Sequence, residues 1–364
     1  MTCDAPAGQP EGSDDAARDE AVIAKVFIGD CPRDIVTSRD GDPIYVLAAD
    51  SVKVVSGFHH VVASIPIVPE PKQMIMSADG SRIYVTSYGG WLSIIDPSKR
   101  TAKTFATPRN TAAVVSPDGE YVYLAHGDKI GRHTASWITT IRADGAFVAR
   151  NAVARCTTGM ALSRDGHRLY VASGGPGSDQ HGGTVTVIDT TNRKTVDTIP
   201  VGEAPETLAV DAEGLLYVTH YHTDSISVID PATHSGLSVA LGDAPIEIMS
   251  ATKREFIYTA NLHSVSAINI STAVSKTLAI GELPRRLNIG VDGRCLYVTD
   301  FAHGTIWGLD TLDNSVTGTV AVGAHPAAVA LSPDGELLHV TDSRDGTLRV
   351  ISTALLKPNP QDAA

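Results

Sequence analysis

A strand-and-turn unit that recurs about every 40 residues restricts the fold of this 364-residue chain more than any other feature. Clear copies read RIYVTSYGGWLSIID (82–96), LYVTHYHTDSISVID (216–230) and CLYVTDFAHGTIWGLD (295–310). One residue anchors each copy, at Tyr45, Tyr84, Tyr123, Tyr170, Tyr217, Tyr258, Tyr297 and, as a departure, His339. The intervals between anchors are 39, 39, 47, 47, 41, 39 and 42 residues. Because the units carry strand signals and no helical periodicity, this period predicts the blades of a β-propeller.

Each unit divides into four strands, which we call a, b, c and d. Strand a follows a proline, strand b is the YVT run, strand c is the VID run, and strand d leads to the next proline. Asp-Gly pairs such as Asp79-Gly80 and Asp118-Gly119 separate strands a and b, as expected for hairpin turns that need a positive φ.

Eight a–b–c sets occur, but the last set lacks a strand d. The segment AVIAKVFIG (21–29) has the pattern of the missing strand. We therefore predict an all-β, eight-bladed β-propeller of four-stranded antiparallel blades, whose ring the N-terminal strand closes and whose sheet edges are thereby covered. Seven blades are the alternative if the weak copy at Tyr45 or Tyr258 is not a blade.

The strand b runs resemble the YVTN family of β-propeller repeats over roughly residues 21–353. The resemblance implies the fold and says little about activity, because related propellers include lactonases, lyases, a haem-binding domain and surface-layer proteins. The fourth motif position departs from the family pattern. It is asparagine only at Asn261, and elsewhere it is Ala48, Ser87, His126, Ser173, His220, Asp300 and Asp342.

Composition and charge limit the partners and the location. A net charge of −12 argues against nucleic acid, and no apolar run reaches the length of a membrane helix. Residues 1–20 are polar and acidic and lack the features of a signal peptide, so we expect a disordered tail and a cytoplasmic protein. Residues 21–356 are predicted to form one propeller domain, and 357–364 a second disordered tail. Cys295 lies within a strand b and is expected in the core.

Histidines concentrate at the ends of strands b and in the turns between strands b and c. We call this end of each blade, which also carries the d–a linkers, the top. A top pocket is predicted to use His220, His263, His303, Glu206 and Glu247 for proton transfer, because imidazole titrates near neutral pH. Imidazole and carboxylate groups can also hold a divalent metal ion, for which the candidate ligands are His220, His222, His263 and Asp300.

Positive charge at the start of several strands a suits a small polar or anionic ligand. The predicted substrate-binding residues are Arg33, Lys72, Arg285, Arg286, His126 and His181. The last two flank or lie in the two longest b–c turns, 126–136 and 173–183, and insertions on one face of a repeat array often mark its working side.

Two classes of function remain open from the sequence. One is an enzyme of the lyase, lactonase or isomerase type, with or without a divalent metal ion. The other is a scaffold that binds a protein or a ligand without chemistry.

Overall fold

The computed structural model describes residues 21–109, 112–127, 136–174, 182–250 and 256–358. Within these residues the chain is built from β-strands, and the one helical element is the short 3₁₀ turn Thr353–Leu355. No described helix is long and apolar enough to cross a membrane. The predicted tail 1–20 lies outside the described residues, whereas Lys357 is held by an ion pair to Glu336 at 2.8 Å.

The first seventeen strands cover the chain from Val22 to Val201. They are β1 (Val22–Phe27), β2 (Asp34–Thr37), β3 (Ile44–Leu47), β4 (Ser51–Val55), β5 (Val61–Pro66), β6 (Pro71–Met76), β7 (Ile83–Ser87), β8 (Trp91–Asp96), β9 (Thr101–Ala106), β10 (Ala112–Val115), β11 (Tyr121–Gly127), β12 (Ser136–Arg142), β13 (Phe147–Val153), β14 (Thr157–Leu162), β15 (Arg168–Ser173), β16 (Gly183–Asp189) and β17 (Lys194–Val201).

The remaining strands continue in the same alternation. They are β18 (Pro205–Val210), β19 (Leu216–His220), β20 (Ser225–Ile229), β21 (Gly236–Ala240), β22 (Glu247–Ser250), β23 (Phe256–Ala260), β24 (Val265–Asn269), β25 (Val274–Leu278), β26 (Pro284–Ile289), β27 (Cys295–Asp300), β28 (Thr305–Asp310), β29 (Ser315–Ala321), β30 (Pro326–Leu331), β31 (Leu337–Asp342) and β32 (Thr347–Ser352).

These strands form eight four-stranded antiparallel sheets, which correspond to the eight predicted blades. Blades 1 to 7 each use four consecutive strands, from β2–β5 to β26–β29. Blade 8 has the order β1-β32-β31-β30, so the N-terminal strand supplies its outer strand d. The eight-bladed propeller class and its closure by β1 are therefore confirmed, and the seven-bladed alternative is wrong.

The chain packs as two compact units. One comprises the chain up to Ser64 and from Gly281 onwards, with blades 7, 8 and 1, and the other is Ile65–Ile280, with blades 2 to 6. In each unit the core lies between consecutive sheets. In the first, Leu348 of blade 8 packs with Ile35 and Val46 of blade 1. In the second, Val185 of blade 4 packs with Val218 of blade 5. Each fully buried aliphatic side chain of this kind stabilises the fold by about 1.5–3 kcal/mol.

The predicted Asp-Gly turns form a repeated hydrogen-bonded structure. In blade 2 the Ser77 hydroxyl donates to Asp79 at 2.6 Å and accepts the Arg82 amide at 3.0 Å, and Gly80 has a φ of +72°. The Ser77 and Ser81 hydrogen bonds lower the pKa of Asp79 to about 2. These aspartates therefore serve the turns, as turn residues commonly do.

The threonine of the YVT run supports an irregularity at the start of strand a. In blade 7 the register between β26 and β27 shifts at Arg285, the extra residue of a β-bulge, and the Thr299 hydroxyl accepts the Arg286 amide at 3.0 Å. Thr341 accepts the Ala328 amide in the same way in blade 8. A bulge turns one side chain away from the regular alternation, so the extra residue can vary while the blade stays intact.

Candidate functional site

The fourth motif position, at the top end of strand b, is buried in every blade. Its residues are at most 4% exposed: Ala48, Ser87, His126, Ser173, His220, Asn261, Asp300 and Asp342. Several of the polar members bond the linker that precedes strand a of their own blade. Asp342, for example, accepts the Ala324 amide at 2.7 Å. This position therefore connects strand b to the linker.

His220 occupies this position in blade 5 and is 1% exposed. Its Nδ1 donates to the Glu203 carbonyl at 3.0 Å, so Nε2 is the acceptor, and the Ser227 hydroxyl lies 2.8 Å from it. Burial lowers the pKa of His220, although the bond to the Glu203 carbonyl opposes this change. Both ring nitrogens are thus engaged inside the protein. This geometry does not support the role of catalytic base or metal ligand that the sequence predicted for His220.

His126 has the corresponding place in blade 3. It is 4% exposed, and its Nε2 lies 2.7 Å from the buried Thr139 hydroxyl. The geometry again favours a packing role over the predicted substrate contact. His181, the other predicted substrate-binding histidine, and most of the two long b–c turns lie outside the described residues.

Blade 7 presents a histidine between two acids. Asp300, the fourth-position residue, accepts Nδ1–H of His303 at 2.7 Å, and Glu282 Oε2 lies 3.5 Å from the other ring nitrogen, Nε2. Asp300 also accepts the backbone amides of Leu283 at 3.1 Å, Ala302 at 3.1 Å and Glu282 at 3.2 Å. The Asp300 carboxylate is thereby fixed, and it orients an imidazole whose side chain is largely exposed to solvent.

The electrostatics follow from the different exposure of the two partners. The Asp300 side chain is 0% exposed and that of His303 is 58% exposed. Burial opposes the ionisation of Asp300, but the bonds from His303 and from the backbone amides outweigh it and lower the pKa of this carboxyl. The same bond to Asp300, and then its negative charge, raise the pKa of His303. A histidine held by a buried carboxylate has the tautomer and the basicity of a general base.

An aromatic stack lies beside this group in the same unit. Phe301, two residues before His303, stacks on His325 with ring centroids 4.8 Å apart, and the Arg285 guanidinium lies 4.9 Å above the Phe301 ring. Arg285 is exposed and is the bulge residue of β26, opposite the end of β27 that carries Asp300. The predicted cation is therefore held by a cation–π contact at the top of blade 7.

Bulge residues in other blades include further predicted members of the pocket. The strand register shifts at the start of strand a in several blades. The residues at these shifts are Lys72 in blade 2, Thr158 in blade 4, Glu206 in blade 5 and Ala327 in blade 8. The bulge thus presents a different chemical group in each blade. Lys72 lies 6.0 Å from the Tyr88 ring.

Glu206 is exposed and lies near His222. Desolvation by surrounding protein raises the pKa of Glu206, and the charge of His222 opposes the rise. The Thr158 hydroxyl donates to the carbonyl of Pro205, next to Glu206, at 2.7 Å. Glu206 and His222, both predicted site residues, are therefore close enough in the second unit to interact electrostatically.

The other predicted residues have separate surroundings. His263 pairs through Nδ1 with Asp243, and both side chains are exposed, at 61% and 43%. Glu247 begins β22 and is half-buried. In the first unit, the buried Arg33 Nε has no hydrogen-bond partner among the described residues, and the exposed Arg286 follows the bulge of β26.

The described residues do not fit a metal ion. No group of three or more His, Cys, Asp or Glu side chains among them could hold one. In blade 7 the geometry explains this, because Asp300 and Glu282 face opposite nitrogens of the His303 ring and cannot converge with it on one ion.

Sequence reasoning missed Glu282, Phe301 and Asp243. A repeated signal in the linkers could have found the two acids. The linkers before blades 5, 6 and 7 read GEAP, GDAP and GELP, with an acid directly after the glycine each time. The linker before blade 8 reads GAHP and contributes His325 instead.

The fold and this top-end chemistry define a β-propeller protein whose blades share a scaffold and differ in the groups that they present. A protein-family model described as SMP-30/Gluconolactonase/LRE-like region matches residues 58–252, which is more than half of the chain, and the chain belongs to this family. The matched residues include Glu206, His222 and Asp243 and end before blade 7. The YVTN type of repeat is not what the family model identifies, although both families are β-propellers. No curated protein matches the sequence.

Many solved structures share the fold. A chain of Kuenenia stuttgartiensis hydrazine synthase is 17% identical, with a TM-score of 0.59 over 90% of this chain and 97% of that one. Chaetomium thermophilum Sqt1, solved bound to the N-terminus of ribosomal protein L10, is 14% identical, with a TM-score of 0.71 over 91% and 99%. At these identities the likeness concerns the fold alone.

Proposed function

We propose that this propeller hydrolyses small polar or anionic lactones or esters at the top of blade 7, with His303 as general base. The observation that carries the proposal is the oriented pair of Asp300 and His303, in which a buried carboxylate fixes an exposed imidazole. Membership of a family whose description includes gluconolactonase supports lactone hydrolysis over the lyase and isomerase types that the sequence left open.

The chemistry needs one imidazole lone pair directed at solvent. Because Nδ1 carries the proton that Asp300 accepts, Nε2 holds the lone pair. Nε2 takes a proton from a water molecule as its oxygen bonds to the carbonyl carbon of the lactone. The ring C–O bond then breaks, and the proton passes from Nε2 to the leaving alkoxide, which yields the hydroxy acid.

Two neighbouring groups assist in this account. The Glu282 carboxylate, 3.5 Å from Nε2, stabilises the imidazolium that forms when the water loses its proton. The Arg285 guanidinium, held on the Phe301 ring, attracts the negative charge of the substrate and of the developing oxyanion. Arg286 follows on the same strand and adds positive charge.

The proposal is tested by measuring the hydrolysis of five- and six-membered sugar lactones and simple carboxylate esters. Proton release reports the rate of each reaction. We expect His303→Ala to lower kcat/KM by about 10²–10⁴-fold, the usual contribution of a general base. His263→Ala is the matched control, because it also removes an exposed histidine paired with an aspartate, and we expect it to change kcat/KM by less than about threefold.

Two outcomes contradict the proposal. Equal losses in the His303 and His263 variants would show that the blade 7 pair has no special role. A wild-type protein that turns over no lactone or ester, while binding some of them in a thermal-shift assay, would favour the non-catalytic scaffold.

A further inference from the structure

Blade 8 departs from the other blades at its anchor residue. The other seven blades carry a tyrosine there, and each is at most 5% exposed. Blade 8 has His339, which is 2% exposed and therefore as deeply buried. A titratable imidazole thus replaces a phenol in the core beside blade 1, whose strand β2 packs against β30 and β31 of blade 8.

The hydrogen bonding also differs at this position. In blade 2 the Tyr84 hydroxyl donates to the Gly119 carbonyl of the next blade at 2.5 Å. His339 bonds the Ala330 backbone of its own blade, and among the residues that the structure describes its buried Nδ1 has no hydrogen-bond partner. Nearly all buried polar atoms in folded proteins are paired, so the unpaired nitrogen marks an unusual site.

A second histidine, His59 of blade 1, lies near it. His59 is in the turn between β4 and β5 and has a φ of +60°, and its buried Nδ1 also has no hydrogen-bond partner within the described part of the chain. His59 is close enough to His339 that its charge opposes the protonation of the His339 ring. A positive charge on His339 would therefore act against the packing of blade 8 on blade 1.

We propose that the buried His339 makes the packing of blade 8 on blade 1 sensitive to acid, so that this packing loosens when His339 binds a proton near His59. Protonation of His339 would place a positive charge in the core between these blades, near the imidazole of His59. The strands at risk are β31, which carries His339, and β2, which packs against it. Blade pairs anchored by tyrosine have no group at this position that titrates in the same range.

The titration window follows from the groups that act on His339. Burial is the main cause that lowers its pKa to about 4, His59 lowers it further, and the Ala330 backbone and the negative charge of Asp334 oppose the change. The pKa is depressed in the folded state, so the neutral ring contributes stability above the ordinary value of 6.5. This contribution is lost as the pH falls from 6.5 towards 4, because the unfolded chain binds the proton first.

The experiment compares thermal unfolding of the full chain between pH 7.5 and 4.5 in wild type and His339→Tyr, which restores the anchor of the other blades. We expect the wild type to lose at least about 3 °C more in Tm across this range than the variant. His167→Asn removes an exposed histidine and should follow the wild type. Hydrogen exchange at pH 5.0, corrected for the intrinsic rate, should show faster exchange in β30–β32 and β2 relative to pH 7.5, and little change in β14–β17.

A second variant, His59→Asn, tests the proposal if His339→Tyr does not fold. His59→Asn keeps a residue that tolerates a positive φ and removes the facing imidazole, so it should reduce the acid sensitivity. The proposal is overturned if His59→Asn, or a folded His339→Tyr, has the same pH profile as wild type between 6.5 and 4. Acid-induced exchange that is equal in all blades would also overturn it.

Discussion

The two Asp–His pairs of blades 7 and 6 look alike in composition and differ in where the acid lies. In blade 7 the acid is Asp300, which is 0% exposed, while His303 is 58% exposed. In blade 6 the acid is Asp243 in the preceding linker, and both it and His263 are exposed. An exposed ion pair contributes little, because solvent screens it and the side chains remain mobile. A buried carboxylate with several amide donors is rigid, and it fixes the partner that it holds.

The fourth motif position decides between the two arrangements. Blade 7 has Asp300 there, whereas blade 6 has Asn261, whose amide bonds the Ser264 and Ser266 hydroxyls at 2.9 Å. The same scaffold position therefore orients a surface histidine in one blade and closes an internal network in the other. A histidine on the top is thus informative only together with the residue beneath it.

The largest expected effect is on stability. Asp300→Ala leaves three buried or partly buried backbone amides without their acceptor, and we expect it to lower the free energy of unfolding by about 3 kcal/mol. Asp243→Ala removes one member of an exposed pair and should cost less than about 1 kcal/mol. Urea unfolding of both variants measures the difference. Costs within error of each other would remove the distinction between the pairs.

The next effect contrasts a buried histidine with an exposed one in blade 5. His220→Ala deletes two internal hydrogen bonds and leaves a cavity, so a loss of about 2 kcal/mol is expected. His222→Ala, on the exposed turn, should stay within about 0.5 kcal/mol of wild type. A His220→Ala protein as stable as wild type would mean that this side chain is held for another purpose, such as binding.

The smallest effect concerns Glu282, the exposed acid on the Nε2 side of His303. Its charge contributes to the raised pKa of His303 after the bond and charge of Asp300, so Glu282→Gln should lower that pKa slightly. Because the folded-state pKa is raised, the stabilising contribution of the pair is present below pH 6.5 and is lost as the pH rises through the folded value. In Glu282→Gln, the pair should therefore lose its stabilising contribution at a lower pH than in the wild type, which a titration of His303 by NMR would measure. A rise in the pKa would contradict the assigned geometry.

Local chemistry explains why the fold was predictable. The Asp-Gly turns of six blades, the alternation within strands and the proline before strand a in seven blades each act over a few residues, and together they mark the repeat. The closing strand was predicted because a strand pattern at 21–29 matched a strand missing at the other end of the chain.

The site was less predictable, because burial changes within two residues. His220 and His222 would lie on the same side if the strand continued. However, the strand ends at His220, which is buried, and His222 is exposed in the turn that follows. His303 lies in a b–c turn and Glu282 lies in a d–a linker. The alternation pattern of the strands does not predict that side chains of these two elements come into contact. Comparison of the fourth position across all eight copies would have assigned His220 to the scaffold.

The orientation of His303 by Asp300 is tested by ¹⁵N NMR of the His303 ring nitrogens, which reports the tautomer and the pKa of this imidazole across pH 5 to 9. If Asp300 orients this imidazole, the neutral ring carries its proton on Nδ1 and its pKa lies above 6.5, and Asp300→Asn lowers that pKa. If His303 titrates at or below 6.5 with the proton on Nε2 in the wild type, the carboxylate does not hold the ring and the account of blade 7 as the catalytic site fails.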